Sequence, residues 1–407
     1  MSHAGPAPEF SVPRRFYSLD ALRGVAALSV VFWHWQHFFY HGSATDGFVA
    51  ARQPLFGLLF LFYRRGLMAV DLFFCLSGFV FFWLYAAAIA ERRVGAREFV
   101  VLRLSRLYPL HLVTLLAVAL GQLAHRALTG AWCVYPCNDA RHFALNLVFA
   151  PSWGFERGFS FNAPVWSVSV EVFLYAIFFL WCRALPVRYP LLLVVALAGF
   201  GFQLVAYEPL GRGVASFFLG GCAYLVYQST VAGGGVRRAN RWLPVVTLAL
   251  WLVALAAVHG DWSRQELLAR WLPTSWRGGP LELATGLLLL VWPRLVLFPL
   301  TILTLALRET ERGTLGRRLR FLGDISYSGY LLQFPLQLLV LLVVARCQID
   351  RAVFYSPLAL AAFMGVLLAA SLCSYRRFEL PVQQAWRRAA LPERYARGSE
   401  VAQASGR

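Results

Sequence analysis

The sequence predicts an all-α, polytopic integral membrane protein with about ten transmembrane helices. Three observations carry this expectation. Hydrophobic residues make up 59% of the 407 residues and charged residues 14%, with a mean hydropathy of +0.59, a balance foreign to an ordinary soluble domain. Apolar runs of about 20 residues, long enough to cross a bilayer as a helix, recur along the chain. Between them stand Arg clusters: Arg92, Arg93 and Arg97; Arg237, Arg238 and Arg241; Arg317, Arg318 and Arg320. All 38 basic residues are Arg, and the formal charge is +18. Because these residues gather between apolar runs, they read as topology markers and phosphate ligands, not as a nucleic-acid surface.

The runs place helices near 19–40, 66–90, 104–125, 164–182, 188–206, 211–228, 241–258, 282–307, 325–345 and 354–376. Together they form one membrane domain, 1–378, followed by a short basic cytoplasmic tail, 379–407. The first fifteen residues are polar and Pro-containing, and the apolar run after them exceeds a signal core, so no cleavable leader is expected. An even number of spans brings both termini to one side. With that side cytoplasmic, inner segments hold 25 Arg and outer segments 12, the bias of the positive-inside rule. The expected location is the cell inner (plasma) membrane, multi-pass, with both termini cytoplasmic.

Three local features need separate readings. Arg294 follows Pro293 inside the eighth run; either that span is kinked with the Arg facing the bundle, or, the preferred reading, its boundary is misplaced. The run PLFGLLFLFY, Pro54 to Tyr63, is too short to cross and is expected to be interfacial or re-entrant. The outer segment 126–163 carries Cys133 and Cys137 in AWCVYPCND, where a disulfide is expected and a zinc site would need further ligands. The other five cysteines stand singly, as packing residues.

Ionisable residues inside the runs are the functional candidates, because charge in a bilayer is costly. The first run, Phe16 to His41, holds Asp20, Arg23, His34 and His37. Arg23 and His34 are eleven residues apart, three turns plus about 20°, so on a helix they share a face about 16 Å apart. Counting along the runs puts His34, Asp71 and Glu171, on three different helices, roughly 8–10 Å below the outer surface. An imidazole and two carboxylates at one depth suit a buried reaction site or a proton pathway; charge pairing would account for two of the three without chemistry. On the inner side, Arg103 and Arg106 share a helical face in FVVLRLSRLYPLH, and with Arg23 they suit bidentate contacts to a polyanion. Positive-inside anchoring would also place Arg there, at no particular spacing.

LDALRGVAALSVVFWHW resembles the first helix of the membrane-bound acyltransferase type-3 family, whose signature is an Arg or Lys followed after ten residues by a His. AVDLFFCLSGFVFFWLY, with Asp71, Ser77 and Gly78, resembles its second helix, and RLSRLYPLH its cytoplasmic Arg-x-x-Arg element. WSVSVEVFLY, Trp166 to Tyr175, resembles its Trp-Ser-x-Ser-Val-Glu motif, and FLGDISYSGYLLQFP, Phe321 to Pro335, its penultimate-helix motif. Two positions depart from the pattern: Val172 stands where many relatives have a second Glu, and Gln333 where many have His. No fused extracytoplasmic esterase-like domain, such as some relatives carry, is expected in these 407 residues.

The resemblance implies a sugar or exopolysaccharide O-acetyltransferase-like enzyme. It would move an acyl group, usually acetyl, from cytoplasmic acetyl-CoA to a hydroxyl of a glycan or similar acceptor reached from outside. Acyl-CoA is then a co-substrate; no tightly bound cofactor and no metal are implied. Arg23, Arg103 and Arg106 would hold the CoA phosphates. His34 would act as general base or acyl carrier, with Asp71 or Glu171 orienting it. His37, one turn nearer the outer surface, is expected to be dispensable. The partners are acyl-CoA, a carbohydrate or other hydroxyl-bearing acceptor and membrane lipids, with no nucleic acid. The alternative class is a proton-coupled transporter or flippase of a polar solute or lipid-linked sugar, for which matching broken helices in two related halves would be expected; no such halves are visible.

Overall fold

In lipid every backbone N–H and C=O must find its partner within the protein, which leaves helices as the economical solution for apolar runs of this length. A computed structural model describes residues 10, 12–45, 47–260 and 291–392. Among them the chain is helical, and its strands are one two-residue hairpin, Tyr40–His41 against Ala44–Thr45. The helices are α1 (Tyr17–Trp33), α2 (Phe56–Arg65), α3 (Ala69–Ala90), α4 (Ala96–Thr129), α5 (Ala140–Leu147), α6 (Trp166–Ala184) and α7 (Tyr189–Val205). They continue as α8 (Glu208–Ala232), α9 (Val236–His259), α10 (Phe298–Arg312), α11 (Arg320–Asp324), α12 (Ser326–Cys347), α13 (Pro357–Ser374) and α14 (Leu380–Ala390).

The protein is an all-α multi-pass membrane protein. Among the described residues, seven helical stretches are long and apolar enough to cross a membrane: Phe56–Ala90, Ala96–Thr129, Ala163–Ala184, Glu208–Ala232, Val236–His259, Ser326–Cys347 and Pro357–Ala390. The other three expected helices differ in identifiable ways. Helix α7 is apolar but 17 residues long. Helix α1 is also 17 residues, because the backbone tightens into a 3₁₀ segment, His34–Phe39, that carries the chain onward. The expected helix at 282–307 begins outside the described residues. The short run after Pro54 forms α2 and passes through a 3₁₀ turn, Gly66–Met68, directly into α3.

Close packing in such a bundle depends on small residues where helices meet. Helix α3 packs along α8, which also packs along α7. A Cβ placed on Gly78 of α3 would fall on the Phe217 carbonyl, and one on Gly220 of α8 on the Cys75 carbonyl, so both positions require glycine. Around this seam Phe79, Phe82, Phe178, Phe217 and Phe218 form the main apolar core. A second core, with Trp35, Phe38, Phe334, Phe354 and Phe363, seals the 3₁₀ segment after α1 against α12 and α13. There the Trp35 indole donates to the Phe354 carbonyl at 2.9 Å. The bundle has two distinct ends: an arginine-rich end at the α3–α4 turn, with Arg92, Arg93 and Arg97, and a long-loop end formed by residues 130–165.

The long-loop segment holds Cys133 and Cys137 as unbridged thiols, which corrects the expected disulfide. Cys133 is buried, its peptide clamped by Gln122, whose amide oxygen accepts the Cys133 N–H and whose NH₂ donates to the Cys133 carbonyl, both at 2.9 Å. The Cys137 sulfur instead faces Gly158. Burial pushes the Cys133 thiol up to about 12, so little thiolate is present to attack a partner.

Helix α1 starts without a capping side chain of its own: Phe16 precedes it, and the free N–H groups of the first turn would be orphaned in an apolar setting. A carboxylate from another helix supplies the cap. Glu309 of α10, fully buried, accepts the Tyr17 N–H at 2.7 Å through Oε1. Through Oε2 it accepts the Ser18 N–H at 2.9 Å and the Ser18 hydroxyl at 2.6 Å. Arg15 then bridges Asp20 of α1 at 2.6 Å and Asp324 of α11 at 2.7 Å. These contacts fix the depth of Arg23, one to two turns further on. Glu309→Ala removes the acceptor for three donors and should cost at least about 2 kcal/mol of stability. Glu309→Gln, which keeps one oxygen, should cost less. Detergent unfolding of the purified variants is the check, and an unchanged midpoint for Glu309→Ala would show that the cap is immaterial.

Candidate functional site

The ionisable residues inside the bundle sort into three groups. The first is purely internal. Asp71, in the first turn of α3, is fully buried and is gripped by Arg212 of α8, with Nε to Oδ1 at 3.1 Å and Nη2 to Oδ2 at 2.9 Å. Arg294 approaches the same carboxylate, Nε to Oδ2 at 3.1 Å. Arg212 also reaches Glu208 at 2.8 Å and lies over the Trp166 ring at 5.3 Å. Arg294 sits in a π-helical turn, Pro293–Leu297, and faces the bundle, as the kinked reading expected; the start of that span, on which the misplaced-boundary reading turns, lies outside the described residues. The widened turn swings the guanidinium towards α3.

The second group lies towards the arginine-rich end. Glu171 of α6 accepts hydrogen bonds from Ser77 of α3 at 3.0 Å and from Tyr175 at 2.8 Å. Arg23 interacts electrostatically with Glu171, Tyr175, Arg106 and Asp20. Arg103 and Arg106 of α4 both act on Tyr175, and Arg106 also on Tyr327 and Glu379. The Arg103 guanidinium donates to the Tyr85 hydroxyl and lies over the rings of Phe81, at 4.9 Å, and Tyr85, at 4.5 Å. Arg23, Arg103 and Arg106 therefore converge around Tyr175 and Glu171, with Asp20 and Glu379 at the margins. Three guanidiniums so placed suit a ligand with several negative charges.

The third group stands at the other end of α1. His34 and His37 are both buried, their rings 4.7 Å apart. The His34 Nδ1 contacts the Val30 carbonyl at 2.9 Å, an acceptor, so the proton of the neutral ring is assigned to Nδ1 and Nε2 carries the lone pair. Gln337 of α12 fixes the second ring. Its NH₂ donates to the His34 carbonyl at 3.0 Å, which leaves Oε1 to accept from His37 Nδ1 at 3.3 Å. The His37 Nε2 is then also unprotonated. Gln333, one turn earlier on α12, donates to the Tyr330 carbonyl at 3.1 Å and turns a buried Oε1 without a hydrogen-bond partner towards the His34 ring. Trp33 packs edge-on against both imidazoles.

The expected level trio of His34, Asp71 and Glu171 is thus corrected. Among the described residues no hydrogen bond or ion pair joins any two of them. Ser77, which reaches Glu171, lies six residues beyond Asp71 on α3, so Glu171 stands about 9 Å nearer the arginine-rich end than Asp71. Counting from helix ends placed them together because it could not see that α2 and α3 are one continuous stretch or that α6 starts with a buried 3₁₀ turn, Ala163–Val165. Arg23, Arg103 and Arg106 do come together, as their spacing suggested. Among the described residues no three His, Cys, Asp or Glu side chains gather as a metal site.

The helix that carries Glu171 is a junction for the whole bundle. Trp166 underlies Arg212; Ser167 hydrogen-bonds the Tyr330 hydroxyl of α12 at 2.7 Å; the Ser169 hydroxyl accepts the Ser152 N–H at 3.2 Å. Residues 16–376 match the acyltransferase domain family, a stretch that includes all three groups. The chain belongs to this acyltransferase family. Two curated relatives show the same likeness over shorter stretches. Acyltransferase MdmB of Streptomyces mycarofaciens is 34% identical over 181 residues, 43% of this chain and 42% of the relative. Protein 2 in the picA locus of Rhizobium radiobacter is 36% identical over 109 residues, 27% of this chain and 47% of the relative. The matched stretches thus span less than half the length of either relative. No solved structure matches the chain.

In this acyltransferase, sequence reasoning missed Gln337, Arg212 and the pairing of His37 with His34. Each left a signal. Gln333 and Gln337 are one helical turn apart in an otherwise apolar run, and Arg212 lies alone between Gly211 and Gly213 ahead of an apolar stretch. Asp71 now reads as the partner of two buried cations. Asp71→Ala would leave both guanidiniums buried without their carboxylate and should cost about 3–5 kcal/mol. The expected outcome is a fall in membrane yield and in thermal unfolding temperature before any effect on turnover. A variant as stable as the parent but inactive would return Asp71 to the chemistry.

Proposed function

We propose that this protein is a transmembrane O-acyltransferase that carries an acyl group, with acetyl the expected one, from cytoplasmic acyl-CoA to a hydroxyl of a glycan or similar acceptor on the other side. The arginine-rich end then faces the cytoplasm, both termini are cytoplasmic, and the membrane is the cell inner membrane. The observation that carries this reading is the division of labour along α1. Arg23 joins Arg103 and Arg106 near one end, while His34, eleven residues on, presents an unprotonated nitrogen beside His37 and Gln333. CoA is a polyphosphate on a long thin arm that ends in a thioester, and this geometry matches such a shape: guanidiniums for the phosphates, a buried base about 16 Å further along the same face.

Transfer requires one proton to be moved and one bond exchanged. The acceptor hydroxyl gives its proton to His34 Nε2 as its oxygen attacks the thioester carbonyl; the carbon–sulfur bond breaks, and the imidazolium returns the proton to the departing thiolate. During that interval the Nε2–H needs an acceptor, and the unpartnered Oε1 of Gln333 is placed to provide it. Gln337 keeps His37 in the tautomer that leaves its Nε2 open, so His37 adds a second acceptor beside the first instead of competing as a donor. Glu171, held by Ser77 and Tyr175, balances part of the arginine charge and serves the cofactor-like end, not the imidazole.

His34→Ala should abolish transfer while membrane insertion and acyl-CoA binding persist, since a buried Ala is easily accommodated. The assay is purified protein in detergent, with no sealed compartment, given radiolabelled acetyl-CoA and candidate glycans. Retention of more than about a tenth of the rate would correspond to a barrier change under roughly 1.4 kcal/mol, too small for loss of the essential base. A requirement for sealed vesicles and a gradient would instead indicate transport. Arg106→Ala should weaken acyl-CoA binding by about 1.5–3 kcal/mol, the loss of a charge-assisted contact, with little change in the rate at saturation. An unchanged affinity would reduce Arg106 to a topology anchor.

A further inference from the structure

The end of the bundle opposite the arginine cluster holds a cavity of about 600 Å³ between the hairpin after α1, the end of α12 and a 3₁₀ turn, Arg351–Tyr355. That volume lies in the ordinary range of small-molecule sites. Two guanidiniums line it, Arg52 and Arg351. Arg52 rests on the face of Tyr355, 4.6 Å from the ring centroid, and makes no hydrogen bond or ion pair with any described residue. Tyr355 is itself fixed: its hydroxyl accepts the Val49 N–H at 2.9 Å, and its ring lies 4.4 Å from that of Phe39. Arg52 thus rests over a braced aromatic with its N–H donors unpartnered among the described residues.

Arg351 is used on one edge. Its Nη1 donates to the carbonyls of Tyr40 and Phe38, leaving Nε and Nη2 for the cavity. It is half-buried and has no carboxylate partner among the described residues, so desolvation draws its pKa below the usual value. The carboxylate in the lining, Asp350, is turned to the backbone, accepting the Ala352 N–H at 2.9 Å. The lining therefore carries two guanidiniums against one carboxylate, and neither guanidinium makes an ion pair among the described residues.

Its position links it to the histidines. Val344 and Gln348 of the lining lie seven and eleven residues beyond Gln337 on α12, about 10–16 Å along the axis. Tyr40, whose carbonyl Arg351 holds, packs edge-on against His37 at 5.5 Å. We propose that this cavity is the entry subsite for the acceptor and that the acceptor is an acidic oligosaccharide, whose carboxylate or phosphate is held by Arg52 and Arg351 while a hydroxyl further along reaches His34. The proposal rests on the acyl-transfer reading and adds the charge and length class of the acceptor. A single sugar is too short for the span; a chain of several units covers it.

The test uses the full-length protein in nanodiscs of phosphatidylcholine and calorimetric titration with three probes. Tetragalacturonate should bind, and maltotetraose, of equal length but neutral, should not. Arg52→Gln should weaken tetragalacturonate binding at least about tenfold, the loss expected for a charge-assisted contact. Arg65→Gln, which removes a guanidinium at the end of α2 outside the lining, should leave the affinity unchanged. Equal binding of maltotetraose, equal loss in Arg65→Gln, or full retention in Arg52→Gln would each overturn the proposal. The third probe is phosphatidylglycerol added to the nanodisc. If it alone displaced tetragalacturonate through Arg52, the cavity would be a lipid-headgroup site and not an acceptor site. Binding that behaves as expected while His34→Ala stays active would sink the catalytic reading alone; the reverse pattern would sink only the subsite.

Discussion

The bundle depends on one constraint: a charged group taken out of water must meet its complement on another helix. Asp71 shows it most directly. Its carboxylate meets Arg212 of α8 and Arg294 from the π-helical turn before α10, so one buried anion ties three helices that the chain visits far apart. The pairing costs desolvation on both sides and contributes little net stability, but it penalises any arrangement in which one of those helices is displaced. The glycine seam between α3 and α8 follows from the same registry. Only when Gly78 and Gly220 face each other's backbone do the two helices come close enough for Arg212 to reach Asp71.

Glu309 applies this logic to the functional helix. Helix α1 has a bare amino terminus, and a carboxylate from α10 completes it. Because helix α1 is rigid from Tyr17 to Trp33, fixing its start also fixes the depth of Arg23 and, three turns later, of His34. At the far end the helix tightens to 3₁₀, and Gln337 secures the His34 carbonyl there. The candidate site is held from both ends of one helix by polar contacts.

The ionisable residues therefore serve different purposes despite their similar surroundings. Asp71 and Arg212 satisfy each other, Arg294 adds a second cation to Asp71, and Glu309 satisfies the backbone at the start of α1. Arg23, Arg103 and Arg106 gather beside Glu171, Asp20, Glu379 and the Tyr175 and Tyr327 phenols. His34 is held through Nδ1 by the Val30 carbonyl, and Gln333 beside it keeps a buried Oε1 without a hydrogen-bond partner among the described residues.

The sequence by itself determined the class and most of the elements. Hydropathy sets the class and the approximate limits of most helices because a bilayer admits little else, and the spacing of Arg23 to His34 and of Arg103 to Arg106 survives folding because it is measured along single helices. Relations between helices were not legible. Whether Asp71 meets an imidazole or a guanidinium depends on which helix lies beside α3, and a one-dimensional depth count cannot supply that neighbour. The same limit hid Gln337, whose role exists only because α12 crosses the 3₁₀ segment after α1. Cys133 and Cys137, close in sequence, face different surroundings because Gln122 of α4 turns one peptide inward. Local periodicity is written in the chain; the pairing of buried polar groups is decided by packing, since each such group takes the partner that the neighbouring helix brings.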